Sequence, residues 1–178
     1  NYAMDENNRE QSYKLLQREL DSGHQAYIIC PMVTGDDDGK KSVEETAKKF
    51  RSIYPGVEIG EVHGKLDPLK KNEVMSDFAS GKIKILVATT VVEVGVNVPN
   101  ATVIIIEGAN NFGMLQLHQL RGRVGRGKDQ SYCIFINTSE KMCEKLEVLA
   151  RTNDGFEIAE ADYNLRKAGD LLRPLRGR

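Results

Sequence analysis

The chain lacks most of what an independent enzyme would need. Its three cysteines, Cys30, Cys133 and Cys143, are odd in number and show no C-x-x-C spacing. That argues against a disulfide framework or a zinc site and fits reduced, mostly buried thiols. The three histidines, His24, His63 and His118, are too few and too scattered for a catalytic triad, and neither an H-E-x-x-H nor a nucleophile elbow occurs. No metal site is expected. A G-x-x-x-x-G-K-[ST] loop is absent, as is any D-E-x-H or D-E-x-D segment, so nothing is present to cradle a triphosphate, hold magnesium and position water. Nucleotide hydrolysis by this chain alone is therefore not expected. The apolar runs are only strand-sized, which leaves no signal peptide or membrane span in view and makes the cytoplasm the expected compartment.

What remains is an ordinary globular composition. With 178 residues, 40% hydrophobic and 29% charged, the chain can close one core and carry a small appendage. A net charge of −1 argues for no partner by itself, but the charge is uneven. Asp36 to Asp38 form an acidic loop, whereas Arg121 to Lys128 and Arg166 to Arg178 are basic. A local positive face can hold a polyanion on a nearly neutral protein.

Residues 1–7 show no periodicity and read as disordered or an expression remnant, outside the fold. The spacing of Tyr13, Leu16 and Leu20 predicts a helix from about Asn8 to Ser22, stopped by Gly23. The continuous apolar run of Gln25 to Pro31 reads as a strand covered on both faces. A helix from Ser42 to about Tyr54 follows, with Val43, Ala47, Phe50 and Ile53 inward. The second unit repeats the pattern: strand Val57 to Val62, turn His63 to Asp67, and helix Pro68 to Ser80 with Asp67 as its cap. Strands are expected at Ile83 to Ala88, Thr102 to Ile106 and Tyr132 to Ile136, with a helix around Met114 to Gly122 before the last. Such alternation indicates an α/β fold with a parallel sheet and helices on both faces. Ligands of such sheets sit outside the carboxyl ends of the strands, which places His63, Gly64, Thr89 and Thr90 along one rim. From Ser139 the alternation gives way to two helices, Ser139 to Arg151 and Phe156 to about Lys167. The division expected is 8–138 for the sheet domain and 139–178 for a helical hairpin with a basic tail.

The stretch His118 to Arg126 is the least explained by folding alone. It holds Arg121, Arg123 and Arg126 with Gly122 and Gly125, and no acid before Asp129. Arginine is always charged and presents a planar fork of donors suited to phosphate oxygens, so the cluster implies an anionic partner. Leu115, Leu117 and Leu120 lead in at helical spacing and would anchor it. The glycines from Gly122 fall as G-x-x-G-x-G after a helix, which excludes a dinucleotide-binding reading.

Three segments resemble motifs of the second RecA-like domain of superfamily 2 helicases: His63-Gly64-Lys65-Leu66, Ala88 to Ala101, and Phe112-Gly113 through His118 to Gly127. The continuation Thr152 to Asp162, with Leu165-Arg166 and Gly169 to Leu172, resembles the translocation hairpin of RecG-type helicases, shared with transcription-repair coupling factors. This resemblance covers Gln25 to Leu172 and implies the C-terminal motor lobe of an ATP-dependent DNA helicase. It implies that Arg123 and Arg126 reach ATP phosphates across a cleft, that Gln119 ties nucleotide state to closure, and that Gly95 and Asn97 lie toward the nucleotide. His63, Gly64, Thr89, Thr90, Arg121 and Arg166 would contact DNA or couple it to the motor. ATP with Mg2+ would be held mainly by a preceding ATP-binding lobe. The other implied partners are branched or double-stranded DNA and a wedge domain of the same protein.

Several positions depart from the family pattern. Asn97 stands where Asp is usual, Asn110-Asn111 replace an acidic-basic pair, and Lys167-Ala168 and Arg173 to Arg178 diverge in the translocation element. Arg121 is open to two readings, helix packing or DNA contact. Two other functions also fit the residues: a stand-alone nucleic-acid-binding module, and the motor lobe of a transcription-repair coupling factor.

Overall fold

A computed structural model describes residues 2–31, 39–89, 98–124, 129–139 and 144–151. Among the described residues, six strands form one parallel sheet in the order β1-β6-β5-β2-β4-β3. They are β1 (Tyr2–Met4), β2 (Gln25–Cys30), β3 (Ile59–Val62), β4 (Ile85–Thr89), β5 (Ala101–Ile106) and β6 (Tyr132–Ile136). The helices are α1 (Arg9–Asp21), α2 (Lys40–Ile53), α3 (Pro68–Ala79), α4 (Met114–Arg121) and α5 (Glu144–Arg151). This is the RecA-like arrangement expected from the sequence.

The central strands are apolar because both of their faces are covered. Every residue of β2, β4 and β5 is buried. Side chains alternate across a strand, so Ala26, Ile28, Val87, Val103 and Ile105 meet Leu16 of α1 and Val43, Ala47 and Phe50 of α2. Their neighbours Tyr27, Ile29, Leu86, Ile104 and Ile106 meet Val74 and Phe78 of α3, Met114 and Leu117 of α4, and Leu146 and Leu149 of α5. Helix α3 begins as expected, with Asp67 Oδ1 accepting from the Leu69 amide at 2.8 Å and Pro68 in the first turn.

Three expectations are corrected. Residues 1–7 do not all lie outside the fold, because Tyr2–Met4 pair with Ile134, Phe135 and Ile136. So short a strand has no periodicity to read, and it is specified by the ladder groups that β6 leaves open. Ile53 is 37% exposed, since the inward seam of α2 runs through Val43, Ala47 and Phe50 to Tyr54. Leu115 is 42% exposed, and Met114 takes the buried place at 1%. The α4 seam is Met114, Leu117 and Arg121, which leaves Leu115 turned about 100° away. The start of the helix predicted from Ser139 and the helix Phe156 to Lys167 lie outside the described residues. Ser139 itself donates its amide and hydroxyl to Asn137 Oδ1, at 3.0 and 2.7 Å.

Candidate functional site

The carboxyl rim is organised by β3 and β4. Val62 pairs with Ala88, which brings His63 level with Thr89. His63 is only 8% exposed, and its Nδ1 accepts from the Lys65 amide at 3.2 Å while its carbonyl accepts from Leu66 at the same distance. These bonds fold the His63 to Leu66 turn and leave Gly64 exposed. Thr89 is 1% exposed, and its Oγ1 has no hydrogen-bond partner among the described residues. A buried hydroxyl without a partner costs free energy. It therefore marks a position that calls for a bond from outside the described residues.

Helix α2 starts against this hydroxyl. Its capping residue Gly39 has φ +86°, and a Cβ there would lie 2.2 Å from Thr89 Cγ2. Only glycine allows both the left-handed backbone and this approach. The first turn of α2 carries Lys40 and Lys41 and no acid, so this helix end is locally positive. On the same rim Glu107 follows β5, and both its carboxylate oxygens meet Arg9 Nη1, at 2.6 and 2.7 Å. The sequence reading missed this pair, although an acid directly after an apolar strand was a usable signal.

The described part of the arginine stretch, His118 to Val124, lies at another place in the fold. A cavity of about 370 Å³ is lined by His118, Arg121, Gly122 and Val124 together with Gln130, Ser131 and Cys133. The end of α4 thus lies beside the amino end of β6. Arg121 turns inward and is 8% exposed. Its Nη1 donates to the Leu149 carbonyl of α5 at 2.8 Å, and Nη2 lies 2.7 Å from His118 Nδ1. Of the two readings left open for this residue, the geometry is that of helix packing. Burial lowers the His118 pKa, and the neighbouring guanidinium lowers it further. A neutral imidazole can then accept at Nδ1. Burial also lowers the Arg121 pKa and pushes the Cys133 thiol up to about 12, against the opposing pull of Arg121.

With Arg121 fixed, Gln119 is exposed and Arg123 half-buried, its amide donating to the Leu120 carbonyl at 3.0 Å. Thr90, Gly95, Asn97, Arg126 and Arg166 lie outside the described residues. The Asn110-Asn111 departure has a local use. Asn110 Oδ1 accepts from the Thr138 amide at 2.9 Å and hydroxyl at 3.1 Å, and Asn111 Nδ2 donates to the Gly108 carbonyl at 3.1 Å. Lys145 of α5 donates to the Asn110 and Phe112 carbonyls just before α4. Sequence reasoning had no signal for Leu149 or Lys145 as partners, since both contacts depend on where α5 packs. Among the described residues no group of three or more metal-ligating side chains is assembled, and no helix is long and apolar enough to cross a membrane.

Comparison with known proteins agrees with this geometry. Residues 8–128 match the model of the helicase conserved C-terminal domain. The chain is 45% identical over 168 residues to the ATP-dependent DNA helicase RecG of Synechocystis, covering 92% of this chain and 20% of that protein. It is 47% identical over 163 residues to RecG of Bacillus subtilis, covering 88% and 24%. It spans about a fifth to a quarter of the length of these relatives. A solved structure of RecG bound to a three-way DNA junction superposes with a TM-score of 0.74 at 37% identity, over 90% of this chain and 21% of that one. The C-terminal domain of the DEAD-box protein Dbp5 superposes with a TM-score of 0.59 at 19% identity over 92% of this chain and 96% of that domain, a likeness of fold.

Proposed function

Because the chain belongs to the helicase conserved C-terminal domain family and is RecG-like in sequence, we propose that it is the second motor lobe of an ATP-dependent DNA helicase. In this reading ATP with Mg2+ is bound mainly by a preceding lobe of the same protein, and this lobe does not hydrolyse ATP alone. The observation that carries the reading is the division of labour on α4. Arg121, at the end of α4, is consumed by the Leu149 carbonyl and His118, whereas Gln119 is exposed and Arg123, just past the helix, is only half-buried.

When bound, the nucleotide supplies the free energy of phosphoryl transfer. Arg123, with Arg126, stabilises charge that develops on the transferring group. Gln119 senses lobe closure, and Gly95 and Asn97 complete the nucleotide side of the cleft. Thr89 supplies a buried hydroxyl at the carboxyl rim, and with Thr90, His63 and Gly64 it contacts the DNA backbone, where a hydroxyl can bind phosphate without reading sequence. Arg166 acts from the translocation hairpin. The DNA is branched or double-stranded, a wedge domain in the same polypeptide engages it, and the protein works in the cytoplasm.

The test is DNA-stimulated ATP hydrolysis by the intact protein that carries this chain. Arg123→Ala should lower turnover by about 10³-fold, the lower end of what an arginine of this kind contributes, while the variant remains folded by circular dichroism. Unchanged turnover refutes the assignment.

A further inference from the structure

The amino end of the sheet carries a polar cluster that the proposed function does not use. Helix α1 ends in a tightly bonded turn in which the Gly23 amide donates to the Leu20 carbonyl and the His24 amide to the Glu19 carbonyl, at 3.0 and 2.9 Å. Gly23 has φ +86°, the left-handed residue that such a helix end requires. Asn100 Nδ2 donates to the Gly23 carbonyl at 2.9 Å and ties the turn to the sheet. His24 therefore projects from a fixed backbone.

Its ring lies between two carboxylates. Nε2 is 3.2 Å from Asp129 Oδ2 in a hydrogen bond, and Nδ1 is 3.2 Å from Glu19 Oε1 in a close but unaligned approach. Glu19 is itself held by Thr102 Oγ1, which donates to Oε1 at 2.8 Å. A second contact runs alongside: Arg18 Nη2 donates to the Tyr132 hydroxyl at 3.1 Å and its guanidinium stands 5.5 Å from the ring centre. Asp129 and Tyr132 are the residues through which the chain returns from the arginine stretch into β6.

We infer that His24 is a positioning residue for the arginine-bearing segment. This rests on the reading of Arg123 and Arg126 given above. The Arg121 contact with Leu149 fixes where the segment leaves α4, and the His24 contact with Asp129 fixes where it returns. The Asp129 side chain is 65% exposed, so the pair adds little to stability. Its contribution is geometric, because a displacement of about 1 Å at a reacting centre can cost about 10²-fold in rate.

The experiment measures kcat and KM for ATP in DNA-stimulated hydrolysis by the intact protein, comparing His24→Ala, Asp129→Ala, the double variant and His24→Gln, with Arg123→Ala run in parallel. Each single alanine should lower kcat about two- to fivefold, the most by which an exposed pair can bias the position of the segment. KM should stay within about twofold, because ground-state binding rests on the other lobe. The double variant should lose no more than either single, since one contact is removed in all three. His24→Gln, which keeps a side-chain donor, should recover most of the rate. An unchanged kcat, additive losses, or losses that follow a fall in melting temperature shared by His24→Gln would each overturn the proposal. If Arg123→Ala leaves turnover intact, the reading of the arginines fails and the proposal falls with it. An Arg123→Ala loss with normal His24→Ala turnover refutes the positioning role alone.

Discussion

Replacing Arg121 with methionine removes a buried charge and two contacts while leaving most of the packed volume. The guanidinium donates to the Leu149 carbonyl at 2.8 Å and meets His118 Nδ1 at 2.7 Å. A hydrogen bond from a charged group contributes about 1.5–3 kcal/mol. Against this, methionine escapes the desolvation that lowers the arginine pKa. The residue is 8% exposed, so solvent screening does little to weaken either side of the balance. A net destabilisation of about 1–3 kcal/mol follows, and at about 2–4 °C per kcal/mol for a chain of this size the melting temperature should fall by about 2–12 °C. Arg121→Lys should recover little of it, because an ammonium cannot span both acceptors as a fork does. The assay is thermal unfolding of this chain by circular dichroism, with Arg123→Met as the comparison. A melting temperature within about 1 °C of the parent for Arg121→Met would refute the packing role of Arg121.

Two further outcomes can be checked on the same preparation. Gly39→Ala places a Cβ 2.2 Å from Thr89 Cγ2 at φ +86°, whereas Gly23→Ala at the same φ meets nothing within 4 Å. The second variant should cost only the left-handed penalty of about 1–2 kcal/mol and the first clearly more, so equal melting temperatures would show that α2 does not press on Thr89. Burial lowers the His118 pKa in the folded lobe, so the unfolded chain binds more protons as acid is added. The stability from this residue should be complete above the unfolded value of about 6.5 and lost as the pH falls toward the lowered folded one. Melting temperatures between about pH 7.5 and 5 should fall less steeply in His118→Gln than in the parent, and parallel curves would rule the effect out.

Much of this was legible in the residues. The apolar runs of β2, β4 and β5 can be satisfied only between two helical layers, and each helix seam repeats at a period that one chain displays unaided. The strand ends then put His63 and Thr89 on a common rim, and the motif order around them named the family. Residues with short or distant partners could not be read in that way. Tyr2–Met4 become a strand only because β6 offers an open ladder. Arg121 and Arg123 look alike along the chain, but one lies on the inward seam of α4 beneath α5 and the other beyond the helix end. The same holds for Asn110, used by Thr138, and for His24, set between Glu19 and Asp129.

The sequence by itself determined the layers and the strand direction, because periodicity and side-chain volume are local properties of the chain. Only the tertiary structure decided which arginine is buried in helix packing and which is only half-buried. A guanidinium does the same chemistry in either place, and its surroundings come from segments far away in the chain.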